Sequence, residues 1–240
     1  MNIVIKDNYT ELASFAAEKI ADYIKKNKDV LICLAAGDTM MGVFHELIQL
    51  DRQGKVKLSD AYYVCLDEWV GIGYETKGSC RQVLFDNFYT PANIPLDRIS
   101  FFDGLNKDTV SECNKIADYI LSHKGIGIAV LGVGLNGHVG FNEPYTKQNN
   151  VCITVALDRI TKEISSKYFG KTTETEFGIT ISIDELMKSQ EILLIANGEN
   201  KAQIIYKTVN DMPSMAVPST LLRTNKCFNL LLDRDAALLL

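Results

Sequence analysis

Short runs of apolar residues alternate with amphipathic stretches along the whole chain. Asp29-Val-Leu-Ile-Cys-Leu-Ala35, Ala61-Tyr-Tyr-Val-Cys-Leu66 and Ile128 to Leu131 read as buried strands, followed by Val151 to Val155, Phe177 to Ile181, Gln190 to Ala196 and Cys227 to Leu232. Between them, apolar positions recur every three or four residues, the period of a helix that buries one face. The helices so predicted run from Tyr9 to Lys25, about Met41 to Gln53, Cys80 to Asn87, Thr109 to Lys124 and Lys201 to Val209. Continuous apolar strands interleaved with amphipathic helices define an α/β protein whose sheet is covered on both sides. The expectation is a single domain over residues 1–240, Rossmann-like and doubly wound, with a mainly parallel sheet and helices on both faces. No Pro/Ser-rich linker, internal repeat or low-complexity tract divides it.

Composition narrows the function classes. The 240 residues are 47% hydrophobic and 23% charged, ordinary for a globular protein with a real core. A net charge of −5 argues against a nucleic-acid partner, which needs a basic surface. No run approaches the roughly 20 apolar residues of a membrane span, and Met1 to Lys6 has no secretory signal pattern. The six cysteines are scattered without a CxxC pair, and Cys33, Cys65 and Cys152 fall within apolar strands, where cysteine behaves as a small hydrophobe. A reduced, cytoplasmic protein without a metal site is expected.

The loop after the Ile128 strand carries the densest chemistry. Gly134-Leu-Asn-Gly-His-Val-Gly-Phe-Asn-Glu143, followed by Pro144, packs a histidine, a carboxylate and two asparagines among four glycines. In α/β proteins ligands bind at the carboxyl ends of strands, and His138 with Glu143 is a pair suited to acid–base chemistry near neutral pH. The same stretch contains a GxGxxG pattern, Gly132 to Gly137, with Asp158 at the spacing of a ribose-binding acid. A dinucleotide site also requires a helix whose N-terminus faces the pyrophosphate. Residues 138–150, with two early glycines, Pro144 and Asn149-Asn150, do not form one.

Three further strand ends carry candidates. Asp67-Glu68 closes the second inner strand, and because neighbours in an extended segment point to opposite faces, one carboxylate at most addresses a ligand. Asp67 is either a catalytic acid–base group or a surface charge at a strand end. Gly37-Asp38-Thr39 precedes a helix, either as a phosphate seat or as a plain N-cap. Asn197-Gly198-Glu199-Asn200-Lys201 repeats that design, with Lys201 available to a phosphate or merely solvated. His45 and His123 lie in helical patterns and have no assigned role.

These motifs resemble the glucosamine-6-phosphate deaminase family, the sugar-phosphate isomerase branch that also contains 6-phosphogluconolactonases. The resemblance runs from about Asp29 to Asp235. It is carried by Leu131 to Pro144, Leu66-Asp-Glu-Trp-Val-Gly71, Gly178-Ile-Thr180 and Gly198 to Lys201. The lactonases match the first motif only as far as Gly-His, so Gly-Phe-Asn-Glu-Pro favours the deaminase branch. The resemblance implies a metal-free, cofactor-free aldose–ketose isomerisation coupled to loss of ammonia. In it His138 opens the sugar ring, Asn136 and Glu143 orient and tune the histidine, and Asp67 moves a proton between C2 and C1. Phosphate contacts are expected from Gly37, Asp38, Thr39, Gly137, Lys167 and Lys201.

The departures from the family pattern are also specific. Gly37-Asp38-Thr39-Met40 stands where Gly-Ser/Gly-Thr-Pro is usual, and Lys167 where many members place an arginine, exchanging a bidentate fork for a point charge. The segment after Pro144 lacks the basic residues of the allosterically activated hexamers, so a monomer or small homo-oligomer is expected. The expected partner is an amino-sugar phosphate, with no nucleic acid and no membrane. The alternatives are a sugar-acid lactonase in which His138 activates water, and a sugar-phosphate-binding protein without turnover.

Overall fold

The computed structural model describes residues 1–169 and 175–240, the side chains of 164–168 excepted. Among these, seven parallel strands form one sheet. Its order, numbered along the chain, is β1 (Asn2–Lys6), β10 (Phe228–Asp233), β9 (Glu191–Ala196), β6 (Ile128–Leu131), β2 (Leu31–Leu34), β3 (Tyr62–Cys65) and β5 (Ile99–Ser100). From β2 the chain proceeds through β3 to β5 on one side, then returns to β6 and proceeds through β9 to β10 on the other. The order therefore reverses between β2 and β6, and the crevice at their carboxyl ends is the position where doubly wound sheets bind ligands.

Helices cover both faces. α1 (Tyr9–Lys26) packs against α2 (Met40–Arg52), and both connect strands that advance in the same direction across the sheet. α4 (Thr109–Ser122) and α7 (Ala202–Asn210) connect strands that advance in the opposite direction. Right-handed crossovers place these two sets on opposite faces. β2, β6 and β10 are buried along their whole length, and the inward stripe of α1 (Leu12, Ala16, Ile20, Ile24) completes the core on one side. Asn8 caps α1 by accepting from the Glu11 N–H at 2.9 Å.

Sequence pattern and structure differ in three places. First, Val151–Val155 and Phe177–Ile181 do not join the large sheet. As β7 (Cys152–Ala156) and β8 (Phe177–Ile181) they form a separate antiparallel sheet with β4 (Asp67–Trp69), in the order β4-β8-β7. The run Ala61–Leu66 thus hands over from one sheet to the other at Leu66, whose N–H donates to Leu34 while its carbonyl accepts from Ile181. Second, β1 and β5 escape the pattern: β1 is a largely exposed edge strand and β5 spans two residues. Third, the Cys80 helix is regular only as α3 (Cys80–Leu84) and continues as a wider turn over Phe85–Tyr89. Residues 138–150 hold no helix, as the dinucleotide argument requires.

Candidate active site

The loop leaving β6 folds His138 back over its own glycines. A Cβ on Gly134 would lie 2.2 Å from the imidazole, so the ring packs on bare backbone there. Asn136 Nδ2 donates to Glu143 Oε2 at 2.9 Å, which turns its Oδ1 toward the histidine. That oxygen accepts from the His138 backbone N–H at 3.1 Å and from Nδ1 at 2.6 Å. Glu143 Oε2 also lies 3.5 Å from Nδ1. An Oδ1 acceptor fixes the proton on Nδ1 and leaves the Nε2 lone pair free to act as a base. Burial holds the imidazole below its ordinary pKa. Lys201 adds to this lowering, while Glu143 and Asp158 oppose it.

Asn142 holds the loop shut from inside. Fully buried, it donates to the carbonyls of Val139 and Ile181 at 2.8 and 2.9 Å and accepts from the Ile183 N–H at 2.8 Å. Glu143, at 3% exposure, is carried into the interior by this brace.

The adjacent carboxylates of β4 have opposite surroundings. Glu68 accepts from Ser79 Oγ (2.7 Å) and from the backbone N–H groups of Trp69 (2.9 Å), Cys80 (3.0 Å) and Arg81 (2.9 Å). It is an anchor for the start of α3. Asp67 has no backbone donor among the described residues; its hydrogen-bond donor is the Cys80 thiol. Burial, reinforced by the Glu68 charge, pushes the Asp67 carboxyl up to about 7. Of the two acids, Asp67 is the one left to exchange a proton near neutral pH.

β4 is tied to the histidine loop through β8. Asp67 pairs with Thr180, whose hydroxyl accepts from the Phe141 N–H at 3.3 Å, and Trp69 packs edge-on against Phe141 with ring centres 4.6 Å apart. Gly140 sits at φ +58°, and a Cβ there would meet Thr180 Oγ1 at 2.6 Å. The proton-transfer acid and the histidine loop therefore share one small, rigid framework.

The strand ends of β2, β6 and β9 are tied to one another. Thr39 Oγ1 donates to Asn197 Oδ1 at 2.7 Å, and Lys201 Nζ donates to the Val133 carbonyl at 2.7 Å. Neither Asp38 nor Thr39 caps α2 with its side chain, and Thr39 is itself helical. The plain N-cap alternative is thus not what these residues form. Gly37 borders open space. Burial holds the Lys201 ammonium below its ordinary pKa, against the nearby charge of Asp38. Gly137 (φ +87°) accepts from the Ser219 N–H at 2.9 Å. Lys167 lies within α5 (Arg159–Phe169), and its side chain is outside the described residues. Among the described residues no group of three His, Cys, Asp or Glu side chains could hold a metal ion.

Sequence reasoning brings Asn136, His138 and Glu143 together correctly and misses their supports: Asn142, Thr180, Ser79 and Thr161. Ser79, an N-cap serine before Cys80, carried a local signal. The others act through contacts between residues far apart in sequence.

A fold of this order, with a Glu–Asn–His relay at its switch point, belongs to the sugar-phosphate isomerase class. Residues 6–230 match the model of the glucosamine-6-phosphate isomerases/6-phosphogluconolactonase family, and the chain belongs to that family. It is 36% identical to a glucosamine-6-phosphate deaminase of Clostridium acetobutylicum over the whole of both chains. It is 31% identical to one from Thermoanaerobacter sp., covering 100% of this chain and 95% of the other. A solved structure of a monomeric glucosamine-6-phosphate deaminase superposes with a TM-score of 0.95 at 29% identity, over 100% of both chains. A 6-phosphogluconolactonase from Trypanosoma brucei shares the fold, with a TM-score of 0.79 at 17% identity over 98% and 97% of the chains.

Proposed function

We propose that this protein is an amino-sugar-6-phosphate deaminase/isomerase, with glucosamine 6-phosphate as its leading substrate and a ketose 6-phosphate and ammonia as products. The observation that carries this reading is the Glu143–Asn136–His138 relay, which holds a neutral histidine with Nε2 free. Full-length relatives at 30–36% identity that are glucosamine-6-phosphate deaminases support it.

His138 Nε2 takes the proton of the anomeric hydroxyl and returns it to the ring oxygen, opening the pyranose. The transient positive charge on the imidazole is met by Glu143 through Asn136. Asp67 then removes the proton from C2 and delivers it to C1, converting the aldose amine through an enolamine to a ketimine. Water adds at C2 and ammonia leaves, giving the ketose. A carboxyl titrating near 7 suits both halves of that transfer. Gly37, Asp38, Thr39, Gly137, Lys167 and Lys201 are assigned to the sugar phosphate, which holds the open chain in place.

The assay is ammonia release by purified protein from glucosamine 6-phosphate and galactosamine 6-phosphate in parallel, with Asp67→Asn as control. Ammonia from either sugar, lost in the control, is the expected result and names the epimer. Hydrolysis of a sugar-acid lactone with no ammonia from either sugar would replace this reading with the lactonase one. A monomer or small homo-oligomer in light scattering agrees with the reading. No helix among the described residues is long and apolar enough to cross a membrane.

A further inference from the structure

Three oxygens surround His138 Nδ1. Two come from the histidine's own loop: Asn136 Oδ1 at 2.6 Å and Glu143 Oε2 at 3.5 Å. The third, Thr161 Oγ1 at 3.4 Å, comes from α5, a separate element strung between β7 and β8. Thr161 stands in the first turn of that helix and is 3% exposed. Its place is built rather than incidental. Asp158 fixes the turn by accepting from the Ile160 N–H through its side chain and from the Lys162 N–H through its carbonyl, both at 2.9 Å. At the other end of α5, Phe169 packs edge-on against Trp69, ring centres 5.5 Å apart, on the strand that carries Asp67.

We propose that Thr161 is a positioning residue for His138: its hydroxyl oxygen shares the Nδ1 proton with Asn136 and Glu143, and so fixes the imidazole with Nε2 unprotonated. The kinetic part of this inference rests on the deaminase reading. A threonine hydroxyl in a helix ordinarily turns back to a carbonyl of the preceding turn; here a hydroxyl in the first turn reaches the histidine instead. An acceptor at Nδ1 matters more once the imidazole is protonated, because a hydrogen bond from a cation is the stronger one. Thr161 therefore favours the state formed as the sugar ring opens. Seating of α5 is thereby linked to the proton affinity of the group that performs this step. The charged groups acting on His138 from the other elements are Glu143 and Asp158, which favour the cation, and Lys201, which opposes it.

Two variants and two readouts test this. Thr161→Val keeps the branched shape and removes the oxygen; Thr161→Ser keeps the oxygen and removes the methyl. With Thr161→Val, kcat for ammonia release should fall about 3- to 10-fold, with KM changed less than about twofold. The His138 titration should move down by a few tenths of a pH unit in 15N NMR of the substrate-free protein, its resonance assigned by its absence in His138→Gln. Thr161→Ser should recover both. An unchanged His138 titration in Thr161→Val overturns the proposal. So does a Thr161→Ser protein that falls as far as Thr161→Val, since that makes the site one of packing. If the wild type releases no ammonia, the NMR titration still decides the Thr161–His138 contact, so the two readings fail separately.

Discussion

The two halves of the site reach readiness by opposite means. At the β6 loop every polar atom of the relay has a named partner: Glu143 holds Asn136, Asn136 holds His138, and the imidazole is fixed in one tautomer. At β4 the working carboxylate is left almost without donors, while its neighbour Glu68 takes four. The histidine is controlled by orientation and the aspartate by desolvation. The difference teaches that a proton-transfer group can be tuned either by supplying contacts or by withholding them. Withholding is reliable only where rigid neighbours keep water and stray donors away, and Glu68 supplies that rigidity by pinning the start of α3.

The strongest way to break the comparison is Asp67→Asn. Loss of the base should lower kcat by about 10³-fold, at the upper part of the range for a positioned acid–base group. Ammonia release above a tenth of wild type would remove Asp67 from the mechanism. Glu143→Gln should follow, with about a 10- to 100-fold loss of kcat, because the relay then ends on a neutral amide and no longer answers the imidazolium. Steady-state kinetics on both variants rank the two halves.

Glu68→Gln tests the other member of the acidic pair. Its four donors converge on two carboxylate oxygens, so an amide must turn its own N–H groups toward buried donors. Unfolding in urea should show a loss of about 2–3 kcal/mol. Little change in midpoint would demote Glu68 from anchor to bystander.

Asp67 should act on stability in the opposite direction. Its folded-state carboxyl titrates at about 7, against an ordinary value of 3.8. Between those values the folded protein keeps a proton that the unfolded chain has released, so stability is full below about pH 4 and declines as pH rises through about 7. Asp67→Asn should flatten that slope and raise the melting temperature at pH 8, with no gain at pH 4. The smallest effect to measure is in the rate itself: kcat/KM should climb through a limb near pH 7, and that limb should vanish in the residual activity of Asp67→Asn.

How much of this was legible in the chain depended on the range of the interactions. The His138 loop was legible because its glycines, asparagines and acid are neighbours in sequence, and because Pro144 and Asn149-Asn150 deny it a helix. The parallel sheet was legible from strands apolar on both faces. The second sheet was not: Ala61–Leu66 runs on into Asp67–Trp69 with no break in apolar character, and the transfer at Leu66 is set by pairing with β8, more than a hundred residues away. Asp67 and Glu68 look alike on paper, and only the approach of Ser79, Cys80 and Arg81 separates them. Thr161 carried no local signal, since a threonine in the first turn of a helix is commonplace. What the sequence concealed was chiefly the support of the site rather than its working groups.

The antiparallel pairing of β7 with β8 has a further consequence. Ala156 lies opposite Phe177, and the Leu157 N–H donates to the Glu176 carbonyl at 2.9 Å, so residues 157–176 leave the small sheet and return to it through adjoining points. A segment whose two ends meet can be exchanged as a cassette, because its length and composition do not disturb the strands that anchor it. Asp67, Asn136, His138 and Glu143 all lie outside it. Evolution or an engineer can thus redraw the grip on the sugar by replacing one contiguous stretch while inheriting the chemistry intact.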